Sequence, residues 1–311
     1  MVDVVKDVAA PEGSASLFIS APDGLKLHLE DYGPQSAPRA AVVCLPGLSR
    51  TCADFHELAL ALAGDRQNPR RVLALDHRGR GASEYDRNPA NYTLPVELAD
   101  LIGVLDSLEI SRAVFVGTSM GGVLVMLLAT VRPTVIVGTV LNDIGPVIEP
   151  KGLMRIKNYV GNLPTPRSYE EGAQILRQLG ALQFPHLTAE AWLQQSRLTW
   201  KQTGDRFKPT YDPGLTKALG EIDLERPLPP LWPQFNALAG TPLMLIRGAN
   251  SDVLSPETVE AMRSRRSDMG FLEVADQGHA PLLSEPVLIT QIGAFVLSCD
   301  TAALHQQGQV A

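Results

Sequence analysis

The stretch from Ala113 to Leu127, "AVFVGTSMGGVLVML", decides how this chain is read. Four apolar residues lead into a knot of small ones, Gly117-Thr118-Ser119-Met120-Gly121-Gly122, and a second apolar run follows. The first run has the length and character of a buried strand, and the second that of a buried helix. A strand that turns into a helix within so few residues forces its central residue into a strained backbone and pushes that side chain outward. Side chains two positions before and two after would collide, so Gly117 and Gly121 are expected there for steric reasons. The hydroxyl at the apex, on Ser119, then stands beside the free N–H groups and positive dipole end of a helix N-terminus. A membrane span would fit the absence of charge from Ala113 to Val131, but the glycine cluster breaks a helix in its middle. Strand, turn and helix is the better account.

A serine is a weak nucleophile without a base, and the base needs an orienting carboxylate. Of the six histidines, His279 is placed best, in "VADQGHAPLLSEP" between the last strand pattern and the last helical one. A loop there opens at the same sheet edge as Ser119. His77, in "DHRGRG", is the rival, with a structural role as its alternative. For the acid, Asp252 stands in "PLMLIRGANSDVLSP", on the loop after another strand. The order Ser119, Asp252, His279 is the one expected of a serine placed at such a turn. Asp143, which ends the strand "VIVGTVLND", is the principal rival. Asp276 is a remoter one, since it would have to bend back along its own loop. Attack on a carbonyl also needs N–H donors for the developing oxyanion. Met120 offers one from the helix N-terminus. The second is expected from Leu48, in "LPGLSRT", where Gly47 allows a tight turn. Only backbone is used at either donor.

Around this centre, apolar runs alternate with helical periodicity: "AAVVCLP", "RVLALD", "AVFVG", "VIVGTVLND", "PLMLIRG" and "GFLEVAD" are strands. Continuous apolar strands separated by helices imply a doubly wound, mostly parallel α/β sheet. "LKLHLED" alternates instead and is expected as an antiparallel edge strand. The alternation stops after "VLNDIGP". Helical segments and frequent prolines replace it to about Leu238, with Phe184, Trp192, Trp200, Phe207, Tyr211 and Trp232 among them. The expected organisation is a core of residues 16–146 and 239–299, a helical cap over 147–238 that roofs the serine, and disordered tails at 1–15 and 300–311.

Composition excludes several classes. The chain has 311 residues and a net charge of −7 with no basic run, which argues against nucleic acid as a partner. Three unpatterned cysteines suggest neither a disulfide framework nor a zinc site, so no metal is expected. The N-terminus lacks the apolar core of a signal peptide, and a cytoplasmic location is expected. "DHRGRGAS" lacks the spacing of a nucleotide loop, so Arg78, Gly79 and Gly81 are read as loop architecture and no cofactor is expected. Arg50, beside the oxyanion loop, is either a solvated arginine or an anchor for a substrate carboxylate.

Taken in order, "LPGL", "DHRGRGAS", "GTSMGG", "SDVLSP" and "QGHAP" resemble the α/β-hydrolase superfamily of the helical-cap type. The similarity is to the group that holds carboxylesterases, enol-lactonases and meta-cleavage product hydrolases, and it runs from about residue 17 to 299. It implies an α/β-hydrolase fold and carries the nucleophile, acid and base to Ser119, Asp252 and His279. Pro46 stands where many relatives have histidine, and Thr118 where meta-cleavage hydrolases usually have asparagine. Ser119 excludes the haloalkane dehalogenases and epoxide hydrolases, which use aspartate. The implied activity is a carboxylesterase-like serine hydrolysis of small to medium apolar esters through an acyl-enzyme. The alternatives are C–C bond or enol-lactone hydrolysis and, more remotely, a ligand-binding module without catalysis. The expected partner is a small-molecule ester, with no membrane and with homodimerisation left open.

Overall fold

The structure is a computed structural model that describes residues 2–3, 10–220 and 228–308. In chain order its regular elements begin with β1 (Val2–Asp3), β2 (Ser14–Ser20), β3 (Lys26–Tyr32), β4 (Ala41–Leu45), α1 (His56–Ala63), β5 (Val72–Leu75) and α2 (Leu94–Ser107). Next come β6 (Ala113–Thr118), α3 (Met120–Val131) and β7 (Ile136–Asn142). An insertion follows: α4 (Pro150–Tyr159), α5 (Tyr169–Gly180), α6 (Ala189–Thr199), β8 (Trp200–Thr203), β9 (Arg206–Pro209), α7 (Leu215–Gly220) and α8 (Trp232–Asn236). The chain then returns through β10 (Leu243–Gly248), α9 (Pro256–Arg265), β11 (Gly270–Val274) and α10 (Pro286–Gly308).

Nine strands form one sheet in the order β1-β2-β3-β5-β4-β6-β7-β10-β11. From β5 to β11 every pairing is parallel, and β1, β2 and β3 are antiparallel additions at one side. The expected doubly wound, mostly parallel α/β fold is therefore present. The reason lies in the period-2 alternation of two apolar faces. Along β4, Val43 and Leu45 join the core cluster that includes Leu101 and Leu124 of α2 and α3. Val42 and Cys44 point the other way, into the cluster with Leu58 of α1 and Ile292 of α10. On β6, Val114, Phe115 and Val116 are fully buried. Truncating Phe115 to alanine there would cost about 3–5 kcal/mol.

Four expectations change. β3 is not an edge strand, because β2 pairs along its whole length, Ser14 opposite Tyr32 through Ser20 opposite Lys26. Its alternation reflects one face on the core and one on a buried polar layer, in which His28 and Glu30 are each under 5% exposed. β2 begins at Ser14, inside the stretch expected to be a tail. The insertion is not purely helical: β8 and β9 form an antiparallel hairpin, with Gly204 at positive φ in its turn. Four-residue strands bounded by polar turn residues carry little periodic signal. Finally, α10 runs on to Gly308, since "DTAALHQQ" after Cys299 contains no residue that breaks a helix. Residues 1, 4–9 and 309–311 of the expected tails, and 221–227 of the expected cap, lie outside the described residues. Among those described, no helix is long and apolar enough to cross a membrane. The uncharged stretch from Ala113 divides into β6 and α3.

Candidate active site

Ser119 sits between β6 and α3 with φ 52° and ψ −117°, a strained conformation for a residue with a Cβ. The two flanking glycines are steric necessities. A Cβ on Gly117 would lie 2.6 Å from the Gly122 backbone, and one on Gly121 would lie 2.1 Å from the Leu45 carbonyl oxygen. The strained turn is tied to its neighbours: the Ser119 N–H donates to the Asn142 carbonyl at 3.0 Å. Asn142 is fully buried and its Nδ2 donates both to Thr118 Oγ1 at 3.1 Å and to the Pro281 carbonyl at 3.0 Å. One amide thus joins the serine turn to the histidine loop.

His279 Nε2 lies 2.8 Å from Ser119 Oγ. On its other side Nδ1 lies 2.8 Å from Asp143 Oδ2. Asp143 is fully buried, and its carboxylate also accepts from the Gly248 N–H at 2.8 Å and from the Ser251 hydroxyl. With the Gly248 N–H and the Ser251 hydroxyl donating to that carboxylate, the arrangement suits a ring N–H at Nδ1 that donates to it as well, which leaves Nε2 to accept from the serine. The His279 N–H donates to Gln183 Oε1 of the insertion at 2.8 Å, which holds the histidine loop from above.

The acid expected at Asp252 is corrected by this geometry. Its carboxylate is held by Arg155 in a bidentate pair, Nε to Oδ2 at 2.6 Å and Nη2 to Oδ1 at 2.8 Å. Asp143 has the contact because its strand, β7, lies directly beside β6, with Asn142 in register with Thr118. Asp252 follows β10, one strand further out. Asp276, the remoter rival, is exposed and 3.9 Å from His186 Nε2. His77 is buried, and burial together with the Arg80 charge lowers its pKa to about 3. It is a neutral support beneath the Pro46 turn.

Met120 opens α3, so its amide has no intrahelical acceptor. The loop carrying Leu48 closes over the serine: a Cβ on Gly47 would sit 3.6 Å from Ser119 Cβ. Arg80 links the loop of Leu48, one expected donor, to Met120, the other. Its Nε donates to the Leu48 carbonyl at 2.7 Å, Nη1 bonds Glu97 at 2.8 Å, and Nη2 lies 3.8 Å from Met120 Sδ. Arg78 next to it is buried and bonded to Asp23, Asp86 and Asp100, which agrees with a role in loop architecture.

Ser119 and His279 open into a cavity of about 820 Å³. Its far wall comes from the insertion, with Leu176, Phe184 and Trp192 lining it. Trp200 and Phe207 are buried in packing instead, and Trp232 stacks under Arg265 at 3.8 Å. Tyr159 also lines the cavity; nothing in the sequence around it distinguished it from the other residues of α4. Arg50 is partly exposed but not free. It pairs with Asp54 through Nε and Nη2 and reaches Gln195 at 2.9 Å and Thr199 at 3.3 Å on α6.

One cluster away from the serine has metal-ligand chemistry: His28, Cys52 and Asp76 place ligand atoms within 4.8 Å of one another. Its atoms are engaged by protein. Asp76 accepts from the amides of Cys52 and Ala82, and its Oδ2 meets His28 Nδ1 at 2.7 Å. Burial drives the Cys52 thiol well above its ordinary pKa, which keeps it protonated and a poor ligand.

The model of the alpha/beta hydrolase family matches residues 42–291. A 3-hydroxybutyrate-oligomer hydrolase of Cupriavidus necator is 33% identical over 277 residues, which span 86% of this chain and 92% of that protein. An sn-1-specific diacylglycerol lipase of Mus musculus is 29% identical over 242 residues, 77% of this chain and 75% of the relative. Among solved structures, an alpha/beta hydrolase from Novosphingobium aromaticivorans aligns with a TM-score of 0.83 and 35% identity. That alignment covers 92% of this chain and 99% of the other.

Proposed function

This chain belongs to the α/β-hydrolase family, and from that premise and the geometry of its site we propose that it is a serine hydrolase of carboxylic esters. The observation that carries the reading is the continuous chain of contacts from Ser119 Oγ through His279 to the buried Asp143, opening into a cavity of about 820 Å³. In this mechanism His279 Nε2 takes the hydroxyl proton as Ser119 Oγ attacks the ester carbonyl. Asp143 holds the ring in the tautomer that can do so and stabilises the imidazolium that forms. The oxyanion is met by the Leu48 and Met120 amides. The tetrahedral species collapses, the alcohol leaves with the proton from His279, and an acyl-serine remains. Water, deprotonated by the same imidazole, releases the acid and restores the serine.

The insertion acts as a cap that limits acyl length and excludes water from the oxyanion contacts. The similarity to a protein named for hydrolysing 3-hydroxybutyrate oligomers supports a short acyl unit as substrate. The experiment is covalent labelling. A fluorophosphonate is expected to add once, with the adduct mapped to Ser119, and to abolish turnover of p-nitrophenyl butyrate. Full activity after stoichiometric labelling, or an adduct elsewhere, would overturn the assignment.

A further inference from the structure

We infer that Arg155 is a specificity-determining residue that recognises an uncharged oxygen function on the acyl chain, so that the preferred substrates are hydroxyacyl and acyloxyacyl esters rather than plain fatty esters or esters bearing a free carboxylate. The inference rests on the serine-hydrolase reading above and deepens it.

Arg155 lies on α4 and lines the same cavity as Ser119 and His279. Its helix is fixed against the loop after β10. The Glu149 N–H donates to the Val253 carbonyl at 3.0 Å, and a Cβ on Gly152 would lie 2.5 Å from the Asp252 carbonyl oxygen. A guanidinium has five N–H donors. Arg155 uses two of them on Asp252, through Nε and Nη2. Both hydrogens on Nη1 and the second on Nη2 have no acceptor among the described residues. Arg155 stands on the cavity wall with its side chain 31% exposed, against 11% for Asp252, and in this proposal the unused donors are what it offers a ligand there. One turn further along α4, Tyr159 lines the cavity, and Ser49 of the Leu48 loop lines it too. The wall therefore carries a polar strip amid Leu176, Phe184 and Trp192.

The charge balance decides what the strip takes. Burial would raise the Asp252 carboxyl, but the Arg155 hydrogen bonds outweigh it and hold the group below its ordinary pKa. The pair is thus ionised on both sides and neutral in sum. Arg50 is likewise neutralised by Asp54 at 2.6 Å, and its remaining bonds go to Gln195 and Thr199. Lys151 and Glu57, the other charges on the wall, are exposed and opposite in sign. A free carboxylate brought to Arg155 would meet the Asp252 charge across the same guanidinium. A hydroxyl or ester carbonyl oxygen gains the spare donors without that repulsion. Leaving those donors without an acceptor when a plain acyl chain displaces water from them costs binding, so the same atoms also select against simple fatty esters.

The test compares kcat/KM for p-nitrophenyl esters of 3-hydroxybutyrate and 3-acetoxybutyrate with those of butyrate and hexanoate. The oxygenated esters are expected to be favoured about tenfold by the wild-type protein. In Arg155→Met/Asp252→Asn, which removes both charges together and leaves no unpaired buried acid, the ratio is expected to fall to about one. A wild-type ratio near one, or a ratio that survives in the double variant, would overturn the inference. So would a monosuccinate ester preferred over all neutral esters. Methyl esters of the same acids, titrated calorimetrically onto Ser119→Ala, should show the same ratio in Kd. That binding arm decides the question even if no ester is turned over, an outcome that would count against the hydrolase reading instead.

Discussion

Arg80 donates through Nε to the carbonyl oxygen of Leu48 at 2.7 Å, although the two residues lie 32 apart in sequence. The same guanidinium touches Met120 Sδ and is anchored by Glu97. It is fully buried, so its position is set by these bonds and not by solvent. Arg80 is therefore a positioning residue for both amides that would receive the oxyanion. Lysine keeps the charge for Glu97 but cannot span the carbonyl and the sulfur together. Arg80→Lys is expected to lower kcat about tenfold, less than the loss of a whole oxyanion donor, with KM changed little. A purely structural role would instead lower the melting temperature and the amount of folded protein while leaving kcat per active site unchanged. Titrating active sites with the fluorophosphonate separates the two.

The contact between Asp143 and His279 gives a sharper ranking. Asp143→Asn should leave the ring with the wrong tautomer and lower kcat by about four powers of ten. Asp252→Asn removes the partner of Arg155, not of the base, and is expected to cost less than tenfold on p-nitrophenyl butyrate. Steady-state kinetics on the two variants check this directly. Equal losses, or the larger loss at Asp252, would hand the acid role back to Asp252.

The serine turn was legible because its signal is local: a strand, a glycine-flanked serine and a helix within fifteen residues, all dictated by sterics at Gly117 and Gly121. The parallel sheet was legible for a similar reason, since continuous apolar strands separated by helices leave few arrangements. The carboxylate that meets His279 was not, because Asp143 and Asp252 both follow strands at the same sheet edge. What separates them is long-range: the adjacency of β6 and β7, and Arg155, which takes the Asp252 carboxylate from 97 residues away. The two-residue β1 and the four-residue strands of the β8–β9 hairpin are too short to carry a periodic signal. The internal position of β3 was hidden because its outward face is a buried polar network, which in sequence looks like solvent exposure.

That network gives a pH dependence with a definite sign. Burial alone would lower the pKa of His28, but the carboxylates of Asp76 and Glu30 outweigh it and raise the value to about 9. Nδ1 is 2.7 Å from Asp76 and Nε2 is 3.2 Å from Glu30, with the Ser16 hydroxyl at 3.1 Å and the protonated Cys52 thiol beside them. The folded state thus holds a proton that the unfolded chain releases near pH 6.5. A group whose pKa is raised on folding contributes stability that is fully present below the unfolded value and is lost as pH rises through the folded one. The contribution should therefore be complete below about pH 6.5 and decline toward pH 9, by something on the order of 3 kcal/mol. His28→Gln keeps a donor for Asp76 but binds no proton. Its unfolding free energy, measured in urea from pH 6 to 9.5, should start lower than that of the wild type and fall less steeply over this range. Parallel curves for the two proteins would mean that His28 is neutral in the folded state and that Asp76 and Glu30 do not hold its proton.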